Sequence, residues 1–289
     1  MNHRDNSLTF IVLARNHELF IHDCLRSLDS NLHPSTEIIF ADLGSTDSTV
    51  VSARSFLNQV SRKFRIVEFS SEKLTSTFGL QQLLPSITTQ WVGIISGDDA
   101  ITDQYVSVFE ASVLKAETNT VFNFVLQMTD KNLVPLRKAT PRWTRSALLN
   151  TLWMTFENPG TSPGSIFPVQ QVRNSKFMNI DPHCLIEDYP LWLCLNGSVT
   201  FKKIGDGEVL YRQHTQSLSR SEGSSDYAWS IGYSIGLSRS TADNWIKGIL
   251  GSLGERRWLK RFNPSMRHIV LQGVACGLQF DWSINAENS

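Results

Sequence analysis

From residue 8 to residue 129, short apolar runs suited to strands alternate with stretches whose apolar residues recur at helical spacing. No other feature restricts the fold as much, because strands joined through helices return in parallel, with right-handed crossovers. "LTFIVL" (8–13) is apolar and rich in β-formers, as a strand covered on both faces requires. "TEIIFA" (36–41), "FRIVEF" (64–69), "QWVGIIS" (90–96) and "VFNFVLQM" (121–128) repeat the pattern. Between them, "HELFIHDCLRSLDS", "STVVSARSFLNQVS" and "DQYVSVFEASVLKAE" read as helices, the first with Ile21, Leu25 and Leu28 on one face. The expected class is α/β, with a mostly parallel sheet flanked by helices.

Later segments are less regular. Residues 130–185 carry Pro135, Pro141, Pro159, Pro163 and Pro168 and read as loops and short elements over the sheet edge. "IEDYPLWLCLNG" reads as a short helix, since Pro190 suits a first turn. "VTFKKIGDGEVLYRQH" reads as a hairpin turning at "GDG". From about Ser224 onward the chain reads as mostly helical, with a basic, aromatic stretch "GERRWLKRF".

Composition narrows the function classes. Apolar residues make up 41% and charged residues 19% of the 289, which suits a soluble globular chain. Lys plus Arg and Asp plus Glu each total 27, so charge offers no footprint for a nucleic acid. Cys24, Cys184, Cys194 and Cys276 have no metal-ligand or CxxC spacing, and "MNHRDNSLTF" lacks an apolar leader, so a cytoplasmic protein is expected. Nothing bears on oligomeric state.

In a parallel sheet, ligands bind beyond the carboxyl ends of the strands. That edge collects "ARN" (14–16), Asp42 and "SGDD" (96–99). Asp98 and Asp99 after Gly97 admit two readings. They are either oxygen ligands for a hard cation beside a phosphate brought close at Gly97, or a turn into the next helix. Asp42 either receives a base or ribose or caps the helix starting near Ser45. No GxGxxG follows the first strand and no GxxxxGK[ST] occurs, which argues against classical nicotinamide and P-loop sites.

Taken in order, "LTFIVLARNHELFIHDCLRSL", "TEIIFADLGSTDST", "WVGIISGDD", "IEDYPLWLCLNG" and "VLYRQHTQSLSR" resemble family 2 glycosyltransferases of the GT-A fold, over about residues 7–221. The resemblance implies a GT-A catalytic domain at 1–222, with a nucleotide-binding half to about 100 and an acceptor-binding half from 101. A helical extension at 223–289 follows. It implies a nucleotide-sugar donor, Mn2+ or Mg2+, and a saccharide or lipid-linked saccharide acceptor, as in building bacterial surface polysaccharides. Ala14, Arg15, Asn16, Asp42, Ser96, Gly97, Asp98 and Asp99 would then line the donor pocket. Asp98 and Asp99, in the Asp-x-Asp place, would hold the metal, and Asp188 would be the base of an inverting transfer, with Glu187 beside it on the acceptor. Arg212 would reach phosphate and His214 the metal. Each has a plainer alternative: Asp188 an N-cap, Arg212 a surface residue paired with an acid, His214 structural.

Two positions depart from the family pattern. Ser96 stands where the first acid of Asp-x-Asp is usual, and Leu43 replaces the second acid of "DDGS". Two other classes remain in view. A nucleotidyltransferase would usually carry a glycine-rich loop after its first strand, and "LARNHELF" has none. A non-catalytic GT-A domain is favoured by Ser96 and disfavoured by the four acids at 98, 99, 187 and 188. The tail "NWIKGILGSLGERRWLKRF" either packs on the catalytic domain or lies on the inner face of a membrane.

Overall fold

The computed structural model describes residues 7–70, 74–154, 156–215, 224–240 and 255–280. In chain order it holds β1 Leu8–Ala14, α1 Ile21–Asn31, β2 Glu37–Asp42, α2 Thr49–Leu57, β3 Phe64–Glu68, α3 Ser76–Leu83, β4 Trp91–Ser96, β5 Ala100–Ile101 and α4 Tyr105–Val113. There follow β6 Thr120–Thr129, β7 Pro135–Ala139, α5 Ala147–Met154, β8 Ser165–Pro168, α6 Val169–Arg173, α7 Asp188–Leu195, β9 Thr200–Arg212, α8 Ser225–Ser240 and α9 Arg267–Leu278.

All five expected strands are present, as are the three helices between them. A nine-stranded sheet runs β3-β2-β1-β4-β8-β6-β9-β5, with β7 on β6. The first four strands in that order are parallel and in register, pairing Ala14 with Asp42 and Leu13 with Ser96. That register brings the ends of β1, β2 and β4 to one level. β1 is buried along its whole length, and its alternate residues feed two cores. Ile11 and Leu13 pack with α3 and α7, while Phe10 and Val12 pack with α1, α2 and α4.

Two expectations about the second half are corrected. Ser165–Pro168, read as edge covering, lies in the middle of the sheet, antiparallel to both β4 and β6. Four residues are too few to show a period, yet all four are buried. "VTFKKIGDGEVLYR" is not a hairpin. β9 is one 13-residue strand running parallel to β6, and Gly205 and Gly207, at φ 74° and 111°, absorb a register shift within it. Helix α3 lay in a stretch without a clear sequence signal. Its Thr75 cap accepts from the Phe78 N–H, and Gln81 donates to the Phe177 and Ile180 carbonyls.

Among the described residues the C-terminal part is mostly helical, as expected. α8 and α9 approach closely, since a Cβ on Gly232 would fall 2.0 Å from the Val270 carbonyl and one on Gly273 would fall 2.2 Å from that of Trp229. The boundary expected at 222, residues 216–220 of the last motif, and residues 244–254 of the tail lie outside the described residues.

Candidate active site

A cavity of about 340 Å3 opens at the carboxyl edge of the parallel strands. One end is walled by Ala14, Arg15, His17, Ser96, Asp98 and Asp99. Glu187 and Asp188 wall the other, where α7 begins, together with Asn158, Ser162, Tyr227 and Trp258. Acids about ninety positions apart in the chain thus share one space. Arg15 and His17 are its basic residues.

At the first end, Asp98 is the hub. His214 Nε2 lies 2.9 Å from its Oδ2, and His17 Nε2 lies 3.9 Å from the same oxygen. Burial works to raise the pKa of Asp98, but His17 and hydrogen bonds from His214 and Ser96 outweigh it and hold the group at about 2. His17 is itself lowered by burial, so near neutrality the bonds from His214 and Ser96 are what keep Asp98 ionised. An ionised carboxylate is an acceptor, which assigns the shared hydrogen to His214 Nε2. Asp99 goes the other way. Burial and the adjacent Asp98 charge push it well above the usual carboxylate range, against the N–H of Arg212, which donates to its Oδ1 at 2.9 Å. Its Oδ2 is buried and has no hydrogen-bond partner among the described residues.

Several expected donor residues take unexpected places. Arg212 does not line the cavity and is 3% exposed. Its guanidinium donates to the Asp98 carbonyl (2.7 Å), the Lys131 carbonyl (2.6 Å) and Asp23 Oδ2 (3.2 Å), and it stacks over Phe20. The expected phosphate contact is replaced by a clamp on the Asp98–Asp99 loop; pairing with an acid occurs, but in the interior. Gly97 does not open the backbone to a phosphate either. A Cβ there would meet Ala14 Cβ and His17 Nδ1 at 2.9 Å, so its smallness lets the loop close against β1 and His17.

Asn16 also lies outside this wall, in a separate surface hollow. At φ 58° it accepts from the Thr46 N–H (2.8 Å) and donates its own N–H to Ser45 (3.0 Å), tying the loops after β1 and β2 together. Asp42 Oδ2 accepts from the Gly44 and Ser45 N–H groups, the local capping alternative, whereas Oδ1 is buried without a partner among the described residues.

At the second end, Asn158 Nδ2 donates to Asp188 Oδ2 (2.8 Å) and the Tyr189 N–H to Oδ1 (2.7 Å). Ser162 donates to Glu187 Oε1 (2.9 Å). Burial, then the neighbouring Asp188 charge, raises Glu187 to about 7, and burial raises Asp188 too. Burial has made these two adjacent carboxyls better bases than free carboxylates.

Sequence reasoning missed His17, Asn158, Ser162, Tyr227 and Trp258. For His17 a signal existed, since it follows "ARN" directly at the expected ligand edge. The others come from loops and from the C-terminal helices, where no pattern pointed to the cavity.

The family model described as glycosyl transferase family 2 matches residues 9–167 of the chain. Solved structures share the fold at low identity. S. aureus TarS residues 1–349, in complex with UDP-GlcNAc, is 12% identical over 94% of this chain and 88% of that one, with a TM-score of 0.61. The mannosyltransferase PcManGT from Pyrobaculum calidifontis, in complex with GDP-Man and Mn2+, is 13% identical over 96% and 77%, with a TM-score of 0.58. M. tuberculosis glucosyl-3-phosphoglycerate synthase is 16% identical over 78% of each chain, with a TM-score of 0.50. No curated protein sequence matches the chain. The fold is the GT-A arrangement, a mixed α/β sheet flanked by helices with a helical extension.

Proposed function

Because the chain belongs to glycosyl transferase family 2, we propose that it moves a sugar from a nucleoside diphosphate sugar to an acceptor hydroxyl with inversion, Asp188 serving as the base. One observation carries this reading: a single cavity joins the Asp98–Asp99 end to the Glu187–Asp188 end, with Arg15 and His17 in its wall. The donors bound by TarS and PcManGT support a nucleotide sugar.

At the donor end, Arg15 faces the diphosphate from the cavity wall. Asp42 is not part of that wall, but it precedes Leu43, which is, and its Oδ1, buried and unpartnered among the described residues, suits a ribose or base N–H or O–H. Ala14 and Ser96 shape the wall around them. Asn16, Gly97 and Arg212 act from behind, holding the loops that carry these groups.

The side chains fit a divalent cation shared with the donor. Such ions are held by one or two carboxylates plus substrate phosphates. Asp98 is ionised, and beside it Asp99 Oδ2 is a buried oxygen without a partner among the described residues; a cation there would favour the ionised form of Asp99 against the push of burial. Among the described residues no cluster of three or more His, Cys, Asp or Glu is arranged to bind an ion alone, so the diphosphate would complete the set. Bound there, Mn2+ or Mg2+ would act as a Lewis acid on the departing diphosphate. His214 is assigned to orienting Asp98 rather than to the ion, because its Nε2–H is already donated.

At the acceptor end, Asn158 and the Tyr189 N–H fix the Asp188 carboxylate. An acceptor hydroxyl gives its proton to Asp188 as its oxygen bonds to the anomeric carbon. The bond from that carbon to the diphosphate breaks, and its electron pair leaves with the phosphate oxygen. One displacement of this kind inverts the centre. Glu187, held by Ser162, is assigned to the acceptor's other hydroxyls. Tyr227 and Trp258 give that end an aromatic wall suited to a sugar ring, as expected for a saccharide or lipid-linked saccharide in glycan synthesis.

The test is a thermal-shift screen of UDP-, GDP-, TDP- and CMP-sugars with and without Mn2+, followed by NMR of the product made from the best binder. A stabilising nucleotide sugar and a product of inverted configuration are expected. Stabilisation by none of them, or retention at the anomeric carbon, would sink the reading.

A further inference from the structure

Helix α5 turns its apolar side outward. Of its eight residues only Asn150 and Met154 are buried. Leu148, Leu149 and Trp153 are 58%, 53% and 44% exposed, and with Leu152 they make one continuous face. A surface helix ordinarily shows its polar side, so an apolar face that the fold leaves open marks a contact with something else.

The surroundings say what that partner is. Arg142 and Arg145 precede α5, and Arg256, Arg257 and Lys260 lie on the C-terminal segment; all five are exposed. Glu157, three residues past the helix, receives Arg142 at 2.8 Å and lies 3.5 Å from Arg257, which gathers both segments at one end of α5. The two acids here are taken, Glu157 by those arginines and Glu255 by Arg239. In a chain whose formal charges balance, this is a local basic excess around an apolar Leu-Leu-Trp face.

We infer that α5 and this basic rim seat the protein on an anionic lipid bilayer. Leucines enter the acyl boundary, Trp sits at headgroup level, and arginines pair with lipid phosphates. Eight residues are far short of the roughly 20 that a helix needs to span the hydrocarbon core, so α5 would lie on the surface. The seat adjoins the acceptor end of the cavity. Asn158, next to Glu157, holds Asp188, the Tyr189 hydroxyl donates to the Met154 carbonyl of α5, and Trp258 joins the cavity wall. A lipid-linked saccharide would therefore present its sugar at Asp188; this last clause rests on the proposed transferase function, while the membrane contact does not.

The test is co-sedimentation of the full chain with vesicles of phosphatidylcholine alone and of phosphatidylcholine with phosphatidylglycerol. Binding is expected only to the anionic vesicles, weakening as salt is added. Arg145→Gln should weaken it about fivefold, from the roughly 1 kcal/mol that each cation near an anionic surface contributes. Leu149→Ser with Trp153→Ser should weaken it about tenfold or more. Both changes are at exposed positions, so unchanged melting and unchanged donor binding are the controls. Equal binding to both vesicle types, or anionic binding untouched by either variant, would overturn the inference. So would a dimer in sedimentation velocity that the Leu149→Ser, Trp153→Ser variant abolishes, with no vesicle binding, since α5 would then be an interface between copies. Vesicle binding by a protein that transfers no sugar would leave the inference standing and count against the transferase reading alone.

Discussion

Replacing Asp188 by Asn tests the base assignment with little change of shape. Asp188 accepts two hydrogen bonds, from Asn158 Nδ2 at 2.8 Å and from the Tyr189 N–H at 2.7 Å. An amide has one accepting oxygen, so one bond is lost, at a cost of about 1 kcal/mol. The charge that burial disfavours is removed at the same time, as the raised pKa of the group requires. The two effects oppose each other, and the net change in stability should stay within about 1 kcal/mol, a Tm shift of only a few degrees. Loss of a general base costs about 10²- to 10⁴-fold in turnover, or roughly 3–5 kcal/mol of barrier. The kinetic effect should therefore far exceed the structural one. With release of nucleoside diphosphate as the assay, kcat should fall about a thousandfold. The calorimetric Kd for the donor should hold, because Asp188 stands at the far end of the cavity. Wild-type kcat should also fall on acidification, since the Glu187–Asp188 pair titrates upward of ordinary carboxylates, with Glu187 at about 7. Turnover within about threefold of wild type would refute the assignment, as would loss of donor affinity in step with kcat.

Asp98→Ala should abolish the part of donor binding that depends on Mn2+ in calorimetry; a wild-type protein whose donor affinity ignores Mn2+ would remove the case for the cation. Glu187→Gln tests the linkage. Its carboxyl is raised from 4.5 to about 7 in the folded state, so the native protein holds a proton that the unfolded chain has lost, and stability falls as pH rises across that window. Calorimetric scans should show a smaller fall in Tm between those pH values in the Gln variant, and parallel curves would contradict the burial of Glu187. Arg212→Met strips the clamp from the Asp98 and Lys131 carbonyls, and denaturant titration should find about 2–4 kcal/mol lost; an equally stable variant would mean the clamp is idle. Gly97→Ala forces a methyl to 2.9 Å from Ala14 Cβ and His17 Nδ1 and should cost about 1–3 kcal/mol in the same experiment.

The parallel half of the fold was legible because burial on both faces writes itself locally. "LTFIVL" and "TEIIFA" have no polar alternation, as strands inside a two-faced sheet must not, and their ends marked the ligand edge. The antiparallel insertion was not legible. "SIFP" is four residues of β8, and only its pairing with β4 and β6 makes it a central strand. "GDG" looks locally like a turn, yet parallel pairing of β9 with β6 pulls the chain straight and leaves the glycines as a bulge.

The same division holds at the site. The acids at 98 and 99 could be named from their place after a strand and a glycine, a local feature, and those at 187 and 188 from the family resemblance of the motif that holds them. What each one does was decided by tertiary structure. Asp98 is ionised because His214 reaches it from 116 positions away. Asp99 is pushed toward its neutral form by burial beside that charge, and Arg212 is spent on the loop instead of a phosphate. Residue type and local period are short-range properties of a chain. Burial, hydrogen-bond partners and charge state depend on which distant segments fold against one another, and so they belong to the fold.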